Sequence, residues 1–226
     1  MSESPSVNKD RVLTCSVYCN GNKLGNEYTL VAATVHLELN RIGKATLKFN
    51  AGNTNKQTFD ESDADLFKPG NAIRLEVGDI EKENILFDGM IIGLRIITDK
   101  DFHSYMLVEC RDHAYSATQG RKNRIFEKKK DCDIIKEVLS AYGSVEVDST
   151  PYQYPTLVQY YCSDWDFALS RADANGLFIF TDGGKIKVKK PDVSTSPVLT
   201  VTYGVDLTTF DLELSADDQF TQYEAM

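Results

Sequence analysis

The chain has 226 residues, 42% of them hydrophobic and 26% charged, enough to bury a substantial core without disulfide staples. Its formal net charge of −9 argues against general nucleic-acid affinity, which depends on neutralising phosphates with Lys and Arg. No run approaches the roughly 18 consecutive apolar residues of a membrane span, and Met1-Ser-Glu-Ser-Pro-Ser lacks the basic and apolar regions of a signal peptide; cytoplasmic synthesis without a stable membrane anchor is expected.

After an N-terminus expected to be flexible over 1–10, residues 11–115 read as a series of antiparallel strands. Leu13, Cys15, Val17 and Cys19 alternate with Thr14, Ser16 and Tyr18 ahead of an Asn20-Gly21 hairpin signal. Val31, Ala33, Val35, Leu37 and Leu39 face one way and His36 and Glu38 the other. Asn40-Arg-Ile-Gly43 then turns the chain into Ala45, Leu47 and Phe49. Ile73, Leu75 and Val77 follow, then Met90, Ile92, Leu94 and Ile96, then Met106, Val108 and Cys110. Six strands at this spacing predict a barrel or sandwich.

Residues 116–197 change period. Ile134, Ile135, Val138, Leu139 and Tyr142 sit at helical spacing between an acidic cap, Asp131 or Asp133, and a stop at Gly143. Beyond the connector Pro151-Tyr-Gln-Tyr-Pro155, Ser163 is an N-cap with Asp166 completing a capping box, and Asn175-Gly176 ends the helix. Trp165, Ala168, Leu169 and Ala172 form its apolar stripe. Phe167 falls about 200° around from Trp165, which predicts a second packing partner. Leu177–Phe180, the turn Thr181-Asp-Gly-Gly184 and Lys185–Val188 read as a hairpin, giving two helices on a short sheet. From 198 to 226 the β pattern returns, with Leu199, Val201, Tyr203, Leu207, Phe210, Leu212 and Leu214. The expected fold is therefore mainly β (α+β): an antiparallel β-barrel interrupted by a small α/β insert.

Candidate chemistry is sparse. Cys15, Cys19, Cys110 and His113 have a zinc-like flavour, but four residues along one strand separate Cys15 from Cys19 by about 13 Å, too far for two thiolates on one ion. The five cysteines, with Cys132 and Cys162, read as core thiols in a reducing compartment. Asp60-Glu-Ser-Asp-Ala-Asp65 lacks the glycine and downstream glutamate of a calcium loop. His36, His103 and His113 are the three histidines, and there is neither a nucleophile elbow nor a phosphate-cradling loop. Asp164 and Asp166 resemble a glycosidase pair only superficially, because the first turn of a helix favours carboxylates anyway. Tyr152, Tyr154, Tyr160, Tyr161 and Trp165 read as core or interface rather than a ligand platform. Arg121–Lys130 holds six basic residues and one acid, and Lys185–Lys190 four more. These are solvated faces or a contact for an acidic subunit surface. No catalytic, cofactor-binding or metal residue is assigned, no cofactor is expected, and the chain is not expected to be an enzyme.

Val158-Gln-Tyr160, Ser163-Asp-Trp-Asp-Phe167, Ser170-Arg-Ala172 and Asn175-Gly176 together resemble the N-terminal hub region of VgrG spike proteins, also called Rhs-element Vgr proteins, of the Bacteroidetes type. These are related to baseplate hub proteins of contractile-tailed phages. Leu39-Asn-Arg-Ile42, Ala45-Thr-Leu47, Phe67-Lys-Pro-Gly70, Phe87-Asp-Gly89, Gly120-Arg-Lys-Asn123 and Asp133-Ile-Ile135 follow in the family's order, so the likeness covers nearly the whole chain. It implies a structural component of a contractile injection system, of type VI secretion or a phage-tail-like machine. Such a component forms a homotrimer at the tip of a hexameric tube when the complete hub is present, with tube and baseplate proteins as partners. It assembles in the cytoplasm and is exported with the apparatus. Complete spike proteins continue into an oligosaccharide-binding-like domain and a β-helical needle, through which effector or spike-tip proteins attach. Their absence here is expected to mean a truncated or split subunit. From other classes, a wall-degrading enzyme would need paired carboxylates in a cleft, and a carbohydrate-binding module an exposed aromatic strip.

Overall fold

The computed structural model describes residues 13–52, 65–79, 82–98, 100, 103–197, 199–205, 207 and 209–214. Val12–Asp192 forms one compact unit, and the chain from Val193 onward belongs to another. The expected flexible segment 1–10 and most of the acidic loop 60–65 lie outside the described residues.

The first part of the compact unit is a seven-stranded antiparallel sheet. Its strands are β1 (Thr14–Cys19), β2 (Asn22–Lys23), β3 (Leu30–His36), β4 (Lys44–Asn50), β5 (Ala72–Gly78), β6 (Glu83–Thr98) and β7 (Ser104–Asp112). They lie in the order β2-β1-β5-β6-β7-β4-β3. Alternation puts Ala45, Leu47 and Phe49 of β4 and Met106, Val108 and Cys110 of β7 into one core with Val17, Phe67, Ile73 and Leu75. The chain is thus mainly β with a small helical part, as expected. Closure into a barrel is not seen: among the described residues no ladder joins the β2 edge to the β3 edge.

Register shifts interrupt the β3–β4, β5–β6 and β6–β7 ladders. A bulge between Ile91 and Gly93 shifts the phase of β6, so Phe87 and Ile91 are buried where Met90 and Ile92 were expected inside. On β3, Leu30 and Val35 pack against the core, whereas Val31 and Ala33, and Leu37 and Leu39 beyond the strand's end, read as inward from their spacing, are exposed. An edge strand has a neighbour on one side only, and its inner face is covered only as far as that neighbour reaches.

The second part begins with a 3-10 turn, His113–Thr118, followed by β8 (Lys122–Lys130), α1 (Asp131–Leu139), β9 (Ser144–Val147), β10 (Gln153–Cys162), α2 (Asp164–Asp173), β11 (Phe178–Asp182) and β12 (Lys185–Lys189). The expected hairpin is β11–β12, and β9 joins it in parallel to make a three-stranded sheet. β8 and β10 form a separate antiparallel ribbon; the charge run Arg121–Lys130 is thus mostly strand. Ile135 and Leu139 of α1 and Trp165, Ala168 and Ala172 of α2 pack with Ile179, Ile186 and Val188. A third cluster, on the other side of the helices, joins Ile134, Val138 and Phe167 to Phe126 of the ribbon.

From residue 199 to 214 the described chain carries an isolated bridge, Tyr203 to Leu207, and no extended strand. The barrel strands expected over 198–226 are therefore not formed in the described part of that segment. Period-two patterning supplies a side that can be buried but no partner to bury it.

Candidate functional site

The segment Val158–Gly176 supplies the side chains that lock the helical part together. Ser163 caps α2 as expected: its Oγ accepts from the Asp166 N–H at 3.0 Å and donates to Asp166 Oδ2 at 2.6 Å. The helix closes with Gly176 at φ +63°, where Leu177 N–H reaches the Ala172 carbonyl and Gly176 N–H the Asp173 carbonyl, both at 2.9 Å. Trp165 is 4% exposed in the helix–sheet core, while Phe167 stacks on Phe126 with ring centroids 5.7 Å apart. The off-stripe aromatic thus has its second partner, the β8–β10 ribbon.

Asp164 does something the capping reading missed. Its side chain is fully buried and its Oδ2 accepts from Lys122 Nζ at 2.6 Å, Tyr142 Oη at 2.7 Å and Arg124 at 3.4 Å, while Oδ1 accepts from Gln159 Nε2 at 2.9 Å. Burial by itself would raise the Asp164 carboxyl, but these donors and the Arg124 charge outweigh it and hold the group below the ordinary carboxylate range. Asp131 behaves likewise. It does not cap α1, whose N-cap Lys130 makes no side-chain capping bond. Instead it receives Arg171 in a two-pronged bond, at 2.7 and 3.0 Å, and Asn175 Nδ2 at 2.8 Å, tying the start of α1 to the end of α2. Arg171 also donates to Tyr154 Oη at 2.7 Å. Burial pushes the Asp131 carboxyl up, and the Arg171 and Asn175 bonds more than reverse it.

A second set of motif residues fastens the helical part to the large sheet. Asn40, at φ +61°, donates its N–H to the Ile179 carbonyl at 2.7 Å and accepts the Ile179 N–H at 2.9 Å through Oδ1, so the β3–β4 turn is clipped to β11. Asp112, 2% exposed, accepts from Gly43 N–H at 2.5 Å, Ala114 N–H at 2.8 Å and Thr181 Oγ1 at 3.0 Å. A Cβ on Gly43 would lie 2.8 Å from that carboxylate, and one on Gly89 would lie 2.1 Å from the Arg111 carbonyl, which explains glycine at both places. His113 Nε2 meets Asp88 Oδ1 at 3.3 Å, a contact that raises the imidazole above its ordinary value.

The side chains considered for chemistry are dispersed. Cys19 and Cys110 are buried in the large core, where burial and the neighbouring Cys19 push the Cys110 thiol up to about 12, whereas Cys15 is exposed. The Asp164 carboxylate accepts from Gln159 and the Asp166 carboxylate from the Ser163 hydroxyl, so both are occupied by internal bonds. Of the tyrosines, Tyr154 is held by Arg171, and Tyr152, Tyr160 and Tyr161 are exposed. In the ribbon, Ile125 lies opposite Val158, and both are exposed. Lys122 and Arg124 turn toward Asp164, Lys129 pairs with Glu137, and Arg121 donates to the Tyr161 carbonyl at 3.1 Å, so four of the six basic residues of the run serve internal contacts. The signal that could have found Asp131 and Asp164 is a first-turn carboxylate lying beside, rather than at, the cap position.

A family model described as the Alg8 N-terminal domain matches residues 9–226. No curated protein matches the chain. Among solved structures, the chain is similar to a 43 kDa tail protein of prophage MuSo2 from Shewanella oneidensis: TM-score 0.63, 12% identity, covering 78% of this chain and 53% of that one. It is similar to a tail protein from Neisseria meningitidis MC58: TM-score 0.61, 14% identity, 82% and 53% covered. A third is the E. coli c3393 protein, described as a component of the type VI secretion system with structural similarity to T4 bacteriophage tail proteins gp27 and gp5: TM-score 0.56, 14% identity, 76% and 48% covered. The chain spans about half the length of these structures and has the fold of phage tail proteins.

Proposed function

The chain belongs to the Alg8 N-terminal domain family, and we propose, from its likeness in fold to tail proteins, that it is a structural hub or spike component of a phage-tail-like contractile machine. The observation that carries this reading is the tail-protein fold across 76–82% of the chain. The burial of Asp112, Asp131 and Asp164 adds support: Asp131 and Asp164 hold the helical part together and Asp112 fastens it to the large sheet, so all three are engaged in fixing one geometry. A component that positions others benefits from such rigidity, whereas a catalyst needs reactive groups converging on an open cleft.

In the finer form of the proposal the chain is the VgrG-like hub region, assembling as a homotrimer at the tip of a hexameric tube. It contacts tube and baseplate proteins, works by shape rather than by catalysis, and leaves the cytoplasm with the apparatus. The baseplate hub of a phage or prophage tail is the same role in a related particle, and the two prophage-type and bacterial tail proteins support it equally. The test is to tag the chain in its native cell, purify contractile particles and locate the tag by cryo-electron microscopy. Density with threefold symmetry at one tube end is expected. Particles that assemble normally without the chain would sink the reading.

A further inference from the structure

Two features of the chain fit each other. The first is β3, which among the described residues pairs with β4 on one side and presents its other side open. The bulge at Leu30/Ala32 is confined to its beginning, so Ala32–His36 runs in regular register. None of its seven residues is Lys or Pro, the types that commonly blunt such edges. The second is Phe210-Asp-Leu-Glu-Leu214, which alternates strictly, with Phe210, Leu212 and Leu214 exposed by 67, 74 and 97%. A strand pattern with an uncovered apolar side asks for a sheet edge.

Charge makes the match specific. On the outer side of the β3–β4 pair, Ala32, Thr34 and His36 stand opposite Lys48, Thr46 and Lys44. Of the carboxylates on that side, Glu38, which lines one cleft with His36 and Lys44, is paired with Arg41 at 3.2 Å, and Glu109 of β7 stands opposite Thr46. Residues 193–226 hold six carboxylates and no Lys or Arg. With Phe210, Leu212 and Leu214 turned to the inner side, beside Ala33 and Val35, Asp211 and Glu213 fall on the side of His36, Lys44 and Lys48. The inner side adjoins a cleft of about 530 Å³ lined in part by Leu24, Tyr28, Leu30 and Phe49.

We propose that Phe210–Leu214 of one copy adds as a strand to the open β3 edge of a second copy, an inference that rests on the hub reading for its need of several copies. Such pairing is heterologous, donor to acceptor, and closes into a ring when the rotation allows.

The test uses two exposed positions, Ala33→Lys on the acceptor and Leu212→Asp on the donor, each checked for an unchanged circular dichroism spectrum. Sedimentation velocity of the wild-type chain is expected to show association that grows with concentration, and each variant alone to associate at least tenfold more weakly. An equimolar mixture of the two variants is expected to recover a one-to-one complex, because one still offers the strand and the other the edge. A wild-type chain that stays monomeric, variants that associate like wild type, or a mixture that gains nothing would each overturn the proposal, the first by leaving only pairing within one chain. Incorporation into contractile particles is scored separately. Wild type found in particles without complementation in solution keeps the hub reading and loses the strand exchange, and the converse result does the reverse.

Discussion

Asp131 and Asp164 each open a helix, where the dipole favours a carboxylate, yet both spend their oxygens on other elements. The reason is reach. A first-turn side chain beside the cap can turn away from its own helix, and here Arg171 and Asn175, or Lys122, Tyr142 and Gln159, stand within bonding distance. Removing one member of a buried pair leaves the other charge uncompensated. Asp131→Ala should therefore destabilise the protein by about 3 kcal/mol, at the lower end for buried pairs because Arg171 keeps some solvent contact. Denaturant melts measure this, and the double variant with Arg171→Met should lose less than the two single variants together. Purely additive losses would show that the pair does not couple the helices.

At the scale of elements, α2 is gripped from two directions, with Trp165 in the helix–sheet core and Phe167 against the ribbon. Trp165→Ala should cost about 3–5 kcal/mol, as truncation of a buried aromatic does, visible as a lower denaturation midpoint. Ile125→Ala, on the outer side of the same ribbon and 68% exposed, should change the midpoint little. Equal effects would mean that the ribbon's outer side is buried in solution. The same two-sided grip was legible in the sequence, because Phe167 lies off the Trp165 stripe. β8 was less legible: five basic residues mask the alternation of Arg124, Ile125 and Phe126, and strand pairing with β10 is a long-range choice that the local pattern does not contain.

For the whole molecule, the paired carboxylates Asp131 and Asp164 set the acid response, partly offset by Asp112: burial raises its carboxyl, so that its contribution is fullest below its unfolded value and is lost as pH rises. Asp131 and Asp164 titrate below the ordinary range when folded, so their contribution is complete above the unfolded value of about 3.9 and is lost as pH falls through the folded one. His113 titrates above its ordinary value; its contribution is complete below about pH 6.5 and fades as pH rises through the folded value. Thermal melts should therefore fall steeply below about pH 4 and decline slightly above neutrality, by a few tenths of a kcal/mol because the His113–Asp88 pair is partly exposed. His113→Gln should remove the shallow decline and leave the acid limb intact; loss of the acid limb in that variant would refute the assignment.

Composition, period and capping residues by themselves determined a mainly β chain, the α2 helix with its Ser163 cap and Gly176 stop, and the inward residues of β4 and β7. These depend on neighbours close along the chain, where sterics and alternation act directly. Strand order, the phase shift at Ile91, the exposure of β3 and the partners of Asp112, Asp131 and Asp164 were decided only by the tertiary structure. Each depends on which distant segment arrives alongside, and a carboxylate in a first turn or an alternating run near the C-terminus reads the same whether its partner is water, a cap, or a side chain forty residues away.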